Sequence, residues 1–405
     1  MQQFTPEGRL GKTFWLLVVA ATSASLANGT VSPLIPLYIE DRLHGTVLAA
    51  GLFVGVGSLV GLLSQPLVGM FADRRGYKMT WVVSSILGIV GILLMLDTWG
   101  LAPALASRAL FGIAGATSNT VMSGWVIGTV VAHARGKGLG LFGVSVWVGL
   151  GVGPPLGRWA LGIGGYSAVW VLSAVLLTVG ILTALPLYSP PPGALPAVRA
   201  PWEDRVEQWR SAVKSVALPG VVAALAWSAE GVILTFLILH LHKQGLATGG
   251  LFGATSVFSV FAGSVIIARL LLSSVTDRLG ALLTTVISLS ILGVALVVLA
   301  VARTFAAAAV AGVLLGFAFA PLYPALTLMA NDNLSLYNRA RGLGIFSALT
   351  ALGITAGSVY GGLLSSWAGE GAAFVGAAVM QLIAIALVLA RARQLRARAR
   401  ASRAD

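Results

Sequence analysis

Long apolar runs, each bounded by a short polar or charged cluster, follow one another along almost the whole chain. They fall at roughly 13–39, 45–68, 79–97, 101–131, 137–159, 165–187, 216–241, 247–271, 281–301, 305–331, 342–366 and 371–391. Runs of about 20 apolar residues are long enough to cross a bilayer as helices, so the pattern predicts an all-α integral membrane protein with twelve spans. Arg9, Lys12, Arg74, Arg75, Lys78, Arg135, Lys137, Arg199, Arg205, Arg210, Lys214, Arg278, Arg339, Arg341 and the arginines from Arg391 to Arg403 fall in one alternating set of connections and tails. The opposite set holds only Arg42, Arg158, Lys243 and Arg303. Because basic loops stay on the cytoplasmic side, both termini are expected there, in a multi-pass protein of the cell's inner (plasma) membrane. Arg9, Lys12 and the following apolar stretch up to Ser25-Leu26-Ala27 also fit a cleaved leader. Cleavage there would leave eleven spans and put one terminus against the charge pattern, so the segment is read as the first span.

Composition agrees with this reading and closes other routes. Residues are 57% hydrophobic and 10% charged, with mean hydropathy +0.92, whereas a soluble domain carries about 25% charged residues. The 50 glycines suit close approach of membrane helices. With no cysteine, disulfides and thiolate metal sites are excluded. His44 and His133 stand apart, and His240 and His242, two residues apart, do not share a helix face, so neither metal nor other cofactor is expected. The net charge of +13 follows from topology and attraction to anionic lipid headgroups, so no nucleic-acid partner is expected.

The chain repeats itself at an offset of 204 residues. Gly69-Met70-Phe71-Ala72-Asp73-Arg74-Arg75-Gly76 is echoed by Ser273-Ser274-Val275-Thr276-Asp277-Arg278-Leu279-Gly280, and Gly112 by Gly316. Arg135, Gly138, Leu139, Gly140 and Phe142 map onto Arg339, Gly342, Leu343, Gly344 and Phe346, and Gly149, Gly153 and Gly157 onto Gly353, Gly357 and Gly361. Four regions in one register predict two parallel six-helix halves. The expected division is a first bundle at 1–187, a cytoplasmic connector at 188–215, a second bundle at 216–391 and a basic tail at 392–405. In the connector, Trp202, Val206, Trp209 and Val213 make a stripe on one helix face. That stripe fits a helix lying on the membrane surface or one packed beneath the bundle.

Gly69 through Lys78, read as G-x-x-x-D-R-x-G-Y-K, resembles the loop signature of the major facilitator superfamily. Arg108-xxx-Gly112-xx-Gly115 in the fourth span resembles the family's arginine motif. Gly149-xxx-Gly153-Pro154-Pro155-Leu156-Gly157 resembles the glycine–proline motif of its proton-driven exporters. Two positions depart from the pattern: Arg158 stands where that motif has a second glycine, and Ser273 replaces the first glycine of the second loop signature. The resemblance implies the major facilitator fold and a secondary transporter close to the twelve-span drug/proton antiporters. It makes Gly69, Asp73, Arg74, Gly76, Asp277 and Arg278 gating residues, with Asp73 facing the start of the eleventh span near Gly342, where a carboxylate at a helix N-terminus is worth about 0.3–2 kcal/mol. Gly149, Gly153 and Gly157 share a helix face for close approach of a neighbour, and Pro154 frees a carbonyl.

Of the 13 acidic residues, Glu230 alone lies mid-span. An ionised carboxylate there costs several kcal/mol unless it is paired or opposite water. Such a group exchanges a proton as its surroundings change, and Glu230 is the expected proton-coupling site. Arg108 is its expected counter-charge, with backbone carbonyls of its own half as the alternative partner. Asn28, Asn119, Trp125, Trp227, Phe319 and Tyr323 are the candidate substrate contacts. An aromatic, nearly neutral lining suits a lipophilic or amphiphilic organic solute.

Proton-coupled export of such compounds by alternating access is therefore expected. The alternative is proton-coupled uptake of a sugar, metabolite or peptide. No G-x-S-x-G, H-E-x-x-H or Walker motif is present, so no enzyme is expected. The expected partners are a small solute, protons and lipid, and the chain is expected to act as a monomer.

Overall fold

Residues 11–97, 100–130, 135–189, 202–272, 275–331 and 339–401 are described by the computed structural model. Among them the chain forms helices and turns, with no strand. Helix α1 (Lys12–Val31) passes through a 3-10 turn at Ser32–Leu34 into α2 (Ile35–Asp41). Pro33 and Pro36 mark that junction, each lacking the N–H that a continuous helix would use. Helix α3 (Val47–Arg75) starts where the Thr46 hydroxyl accepts the Ala49 N–H at 3.2 Å. It runs through the loop signature and stops at Gly76, and α4 (Tyr77–Leu93) follows at once. Next come α5 (Leu101–Thr129) and α6 (Arg135–Ala184), the latter carrying the fifth and sixth apolar runs, divided by non-helical backbone at Gly164 and Gly165. The remaining helices are α7 (Trp202–Lys243), α8 (Ser256–Leu271), the short α9 (Val275–Leu279), α10 (Ala281–Val301), α11 (Phe305–Asn331), α12 (Arg339–Ala368) and α13 (Glu370–Ala401). Nine stretches among the described residues are long and apolar enough to cross a membrane.

The 204-residue echo extends to the backbone. Gly76 (φ 82°) and Gly280 (φ 79°) end the two loop signatures, while Gly165 (φ 65°) and Gly369 (φ 80°) separate corresponding helices. At such angles glycine avoids the penalty that a Cβ imposes.

Two segments differ from the hydrophobic pattern. The eighth run was expected from 247, but 247–255 forms turns and the helix begins at Ser256. Gly249, Gly250 (φ 91°) and Gly253 interrupt the run, and apolarity alone does not register that break. The connector helix does not stand apart from the seventh run: α7 extends without a break from Trp202, through Pro219, to Lys243. The side chains of Trp202, Val206 and Trp209 lie outside the described residues, while Val213 is exposed.

Two compact units emerge, one of residues 1–198 with 237–262 and the other of 199–236 with 263–405. In unit one, α6 packs along α1, and α5 is flanked by α3 and α4. Gly149, Gly153 and Gly157 of α6 meet the backbone of Ser25, Gly29 and Thr30 in α1. Segment 237–262 is joined to this unit by the Lys243–Glu40 ion pair (3.1 Å), by the Ser259 hydroxyl donating to the Gly151 carbonyl, and by Trp147 edge-on to Phe261 at 5.6 Å. Beside the ion pair, the Tyr166 hydroxyl donates to Asp41 at 2.8 Å, and Tyr166 and Trp170 enclose Tyr38. Lys243 and Glu40 are 37% and 41% exposed, so Lys243→Met is expected to change stability by less than about 1 kcal/mol. A thermal melt of detergent-solubilised protein checks this, and a larger loss would make the pair a principal fastening of the segment.

Unit two repeats the glycine-lined crossing. Gly353 of α12 meets the backbone of Ala224 in α7, Gly357 meets that of Ser228, and Gly231 of α7 meets Ile354 in return. Helix α10 packs against α11 and α13, and α12 against α13. Where helices approach this closely their backbones come within reach of one another's side chains. Ser358 donates to the Gly231 carbonyl at 3.3 Å, and Thr235 donates to Ser358 at 3.1 Å. Buried polar groups held in this way avoid an unsatisfied hydrogen bond in hydrocarbon.

Candidate functional site

In unit two the residues singled out on α7 and α11 come together. Trp227 lies edge-on to Phe319 (5.6 Å) and to Tyr323 (5.7 Å), and Tyr323 lies edge-on to Phe346 of α12 (5.7 Å). Phe319 and Phe346 are buried, whereas Tyr323 remains 39% exposed. Pro321 and Pro324 flank Tyr323 within α11 and remove helix hydrogen bonds around it. Glu230 follows Trp227 by three residues on α7, which places both on one helix face. Its side chain is partly exposed and makes no hydrogen bond or ion pair among the described residues. Glu230 and the aromatic cluster thus share one stretch of α7.

Unit one presents a different chemistry. Arg108 is 7% exposed, its Nε has no hydrogen-bond partner, and its Cζ lies 5.8 Å from the Phe111 ring centre. Its side chain passes over Gly57 of α3, where a Cβ would come 2.9 Å from the Arg108 Cζ. The expected alternative, bonding to backbone carbonyls of its own half, is not seen for Arg108 among the described residues. Gly112, one turn on, meets the Gly57 backbone. Gly115 faces the Asn28 amide, whose Nδ2 would lie 3.0 Å from a Cβ there. Asn28 Oδ1 accepts the Ser32 hydroxyl at 2.5 Å. The arginine motif is thus one face of α5, with Arg108 over α3 and Asn28 reaching it from α1.

Other expected contacts have different surroundings. Trp125 is fully buried, and its indole N–H donates to the Tyr188 carbonyl at 3.0 Å. Lys78 of the loop signature secures the same segment, donating from Nζ to the Leu187 carbonyl at 3.2 Å and from its backbone N–H to the Ser189 hydroxyl at 3.3 Å. Both residues hold the end of the sixth apolar run. Asn119 has a helical backbone, but its side chain, like those of Asp73 and Asp277, lies outside the described residues. Arg74 and Arg278 are exposed, and Gly69 meets nothing within 4 Å. Pro154 is buried within α6 between the closely packed Gly153 and Gly157.

Phe346, Gly57 and Gly29 complete these sites without having been singled out for them. A signal existed for Phe346, the echo of Phe142 in the 204-residue register. The two glycines stood undistinguished among 50.

The family model described as Major Facilitator Superfamily matches residues 17–305 and 252–404. The uncharacterized MFS-type transporter YhhS of Escherichia coli (strain K12) is 27% identical over 387 residues, covering 94% of this chain and 92% of that protein. Among solved structures, a point mutant of the nucleoside transporter NupG superposes with TM-score 0.77 at 15% identity, over 94% of this chain and 99% of that one. A bacterial homolog of the human lysosomal transporter Spinster, in an inward-facing and unoccupied conformation, gives 0.76 at 16% identity, over 94% and 96%. The POT family transporter PepTSo gives 0.78 at 11%, over 95% and 98%. At these identities the structural likenesses concern the fold alone.

Proposed function

Because the chain belongs to the Major Facilitator Superfamily, and so is a multi-pass membrane transporter, we propose that it exports small lipophilic or amphiphilic organic compounds in exchange for protons, by alternating access. The observation carrying this reading is Glu230, an acid midway along a membrane helix, partly exposed and without a protein partner among the described residues. In a low-dielectric setting such a group is tolerated where it alternates between a charged form opposite water and a protonated form when enclosed. Taken by itself, unit two offers Trp227, Phe319 and Tyr323 as candidate contacts for an apolar solute near Glu230. Taken by itself, unit one offers Asn28 and Arg108 as candidate polar groups. Trp125 has its polar edge engaged with Tyr188 and is left out of that set. The glycine–proline segment of α6 supports export over uptake. We place both termini in the cytoplasm, on the distribution of Lys and Arg between alternate connections, and propose a monomer with twelve spans in the inner membrane.

The test uses purified full-length protein in liposomes enclosing a pH-sensitive dye, wild type beside Glu230→Gln. Amphiphilic cations, aromatic carboxylates and neutral sugars are added in turn. A solute that moves protons through the wild type in the counter direction, and not through the variant, supports the reading. Proton movement in the same direction as the solute makes the protein an uptake carrier, and no solute-driven movement with any class refutes proton coupling.

A further inference from the structure

We propose that Arg108 is the docking point for the carboxylate of an organic solute. This deepens the transport reading by naming a group the solute carries. The guanidinium is held in a cradle without side-chain room, over Gly57 and against Phe111. It is more than nine-tenths buried, and its Nε is enclosed with no acceptor. An arginine cannot shed its charge to relieve that burial, and a buried cation without a counter-charge is strongly unfavourable.

The acids of unit one do not supply that counter-charge. Among those whose side chains are described, Glu40 is engaged by Lys243 and Asp41 by Tyr166. The second donor is Asn28. Its Oδ1 is occupied by the Ser32 hydroxyl, which leaves the Nδ2 hydrogens to point elsewhere, and no described residue accepts them. Asn28 meets α5 at Gly115, seven residues after Arg108, so both donors lie along one face of α5, about two turns apart. Over two turns, about 10 Å, one carboxylate does not bridge both donors, so the carboxylate belongs on the guanidinium and Asn28 is left for a separate acceptor on the solute. The planar guanidinium favours a carboxylate, which it can engage through two parallel hydrogen bonds.

The experiment measures binding without any proton gradient, using detergent-purified full-length protein. Benzoate is the probe, and its neutral isostere benzamide the control. Wild type is expected to bind benzoate at least tenfold more tightly than benzamide. Arg108→Gln is expected to erase that preference and Arg108→Lys to keep part of it. Lys243→Met, outside the proposed machinery, is expected to keep the full preference, and because binding is read without a proton gradient, failure of the coupling assignment and failure of this site give different results. Thermal melts without ligand separate a binding role from a structural one: Arg108→Gln should melt at or above the wild-type temperature, because it removes an uncompensated charge. Equal binding of benzoate and benzamide by the wild type overturns the proposal. So does an Arg108→Gln variant that keeps the preference or melts well below wild type. Displacement of benzoate by chloride at equal concentration also overturns it, assigning the site to a free inorganic anion.

Discussion

Reconstituted Glu230→Gln is expected to move no protons in response to any solute, falling to the leak of protein-free liposomes, while still exchanging labelled solute across the membrane. The amide is the near-isostere of the protonated acid and cannot ionise. Any step that needs Glu230 neutral survives, and any step that needs it ionised is lost. The unmet partnering of Glu230 makes the result sharp, since no described neighbour shares a hydrogen bond for the substitution to break. Glu230→Asp, which keeps the exchangeable proton on a shorter stem, should retain coupling at a reduced rate. If Glu230→Gln still couples, the carboxyl is structural and another acid must carry the proton. Asp41 and Asp97 are the remaining candidates. Asp41 already accepts a hydrogen bond from Tyr166 at 2.8 Å, and the Asp97 side chain lies outside the described residues.

Gly153→Leu is expected to prevent accumulation of folded protein. A Cβ at Gly153 would lie 2.6 Å from the Gly29 Cα and 2.9 Å from the Thr30 nitrogen. These are backbone atoms, so no rotamer change relieves the collision, and α1 and α6 must separate along their shared face. Overpacking a fitted interior costs about 1–3 kcal/mol even when side chains adjust, and the cost here should reach or exceed about 3 kcal/mol. Gly357→Leu, against the Ser228 backbone in unit two, should behave alike. Gly344→Ala is the control: its position is exposed and open, with nothing within 4 Å, and alanine favours a helix over glycine by up to about 1 kcal/mol. Fluorescence-detected size exclusion and thermal melts read both effects. A Gly153→Leu protein with a wild-type melt would show that the helices are not held at backbone distance.

Glu230 could be found without a structure because an acid inside a long apolar run is a conflict that needs only the chain to be visible. The glycine triplets 149, 153, 157 and 353, 357, 361 were visible as surfaces for close approach. Their partners were not, since Ser25 and Gly29, or Ala224 and Ser228, carry no mark of their own. Trp125 shows the converse. A tryptophan inside a span has an N–H that must find an acceptor. That acceptor, the Tyr188 carbonyl, lies 63 residues along the chain, so a candidate solute contact could not be told from an anchor. Arg108 was equally ambiguous between a bonded and an unbonded state until its surroundings were known.

What the amino-acid sequence determined by itself was the class: apolar run length, the alternation of basic connections and a 204-residue echo establish a duplicated helical membrane protein. These are properties of single segments, set by the thickness of hydrocarbon and the cost of moving charge across it. Only the tertiary structure decided which glycines meet, that 247–255 leaves the helix, that Trp227, Phe319, Tyr323 and Phe346 form one cluster, and that Glu230 and Arg108 lack partners among the described residues. Those facts depend on helix rotation and approach. Apolar composition leaves both undetermined, because lipid and a neighbouring helix are equally apolar surroundings.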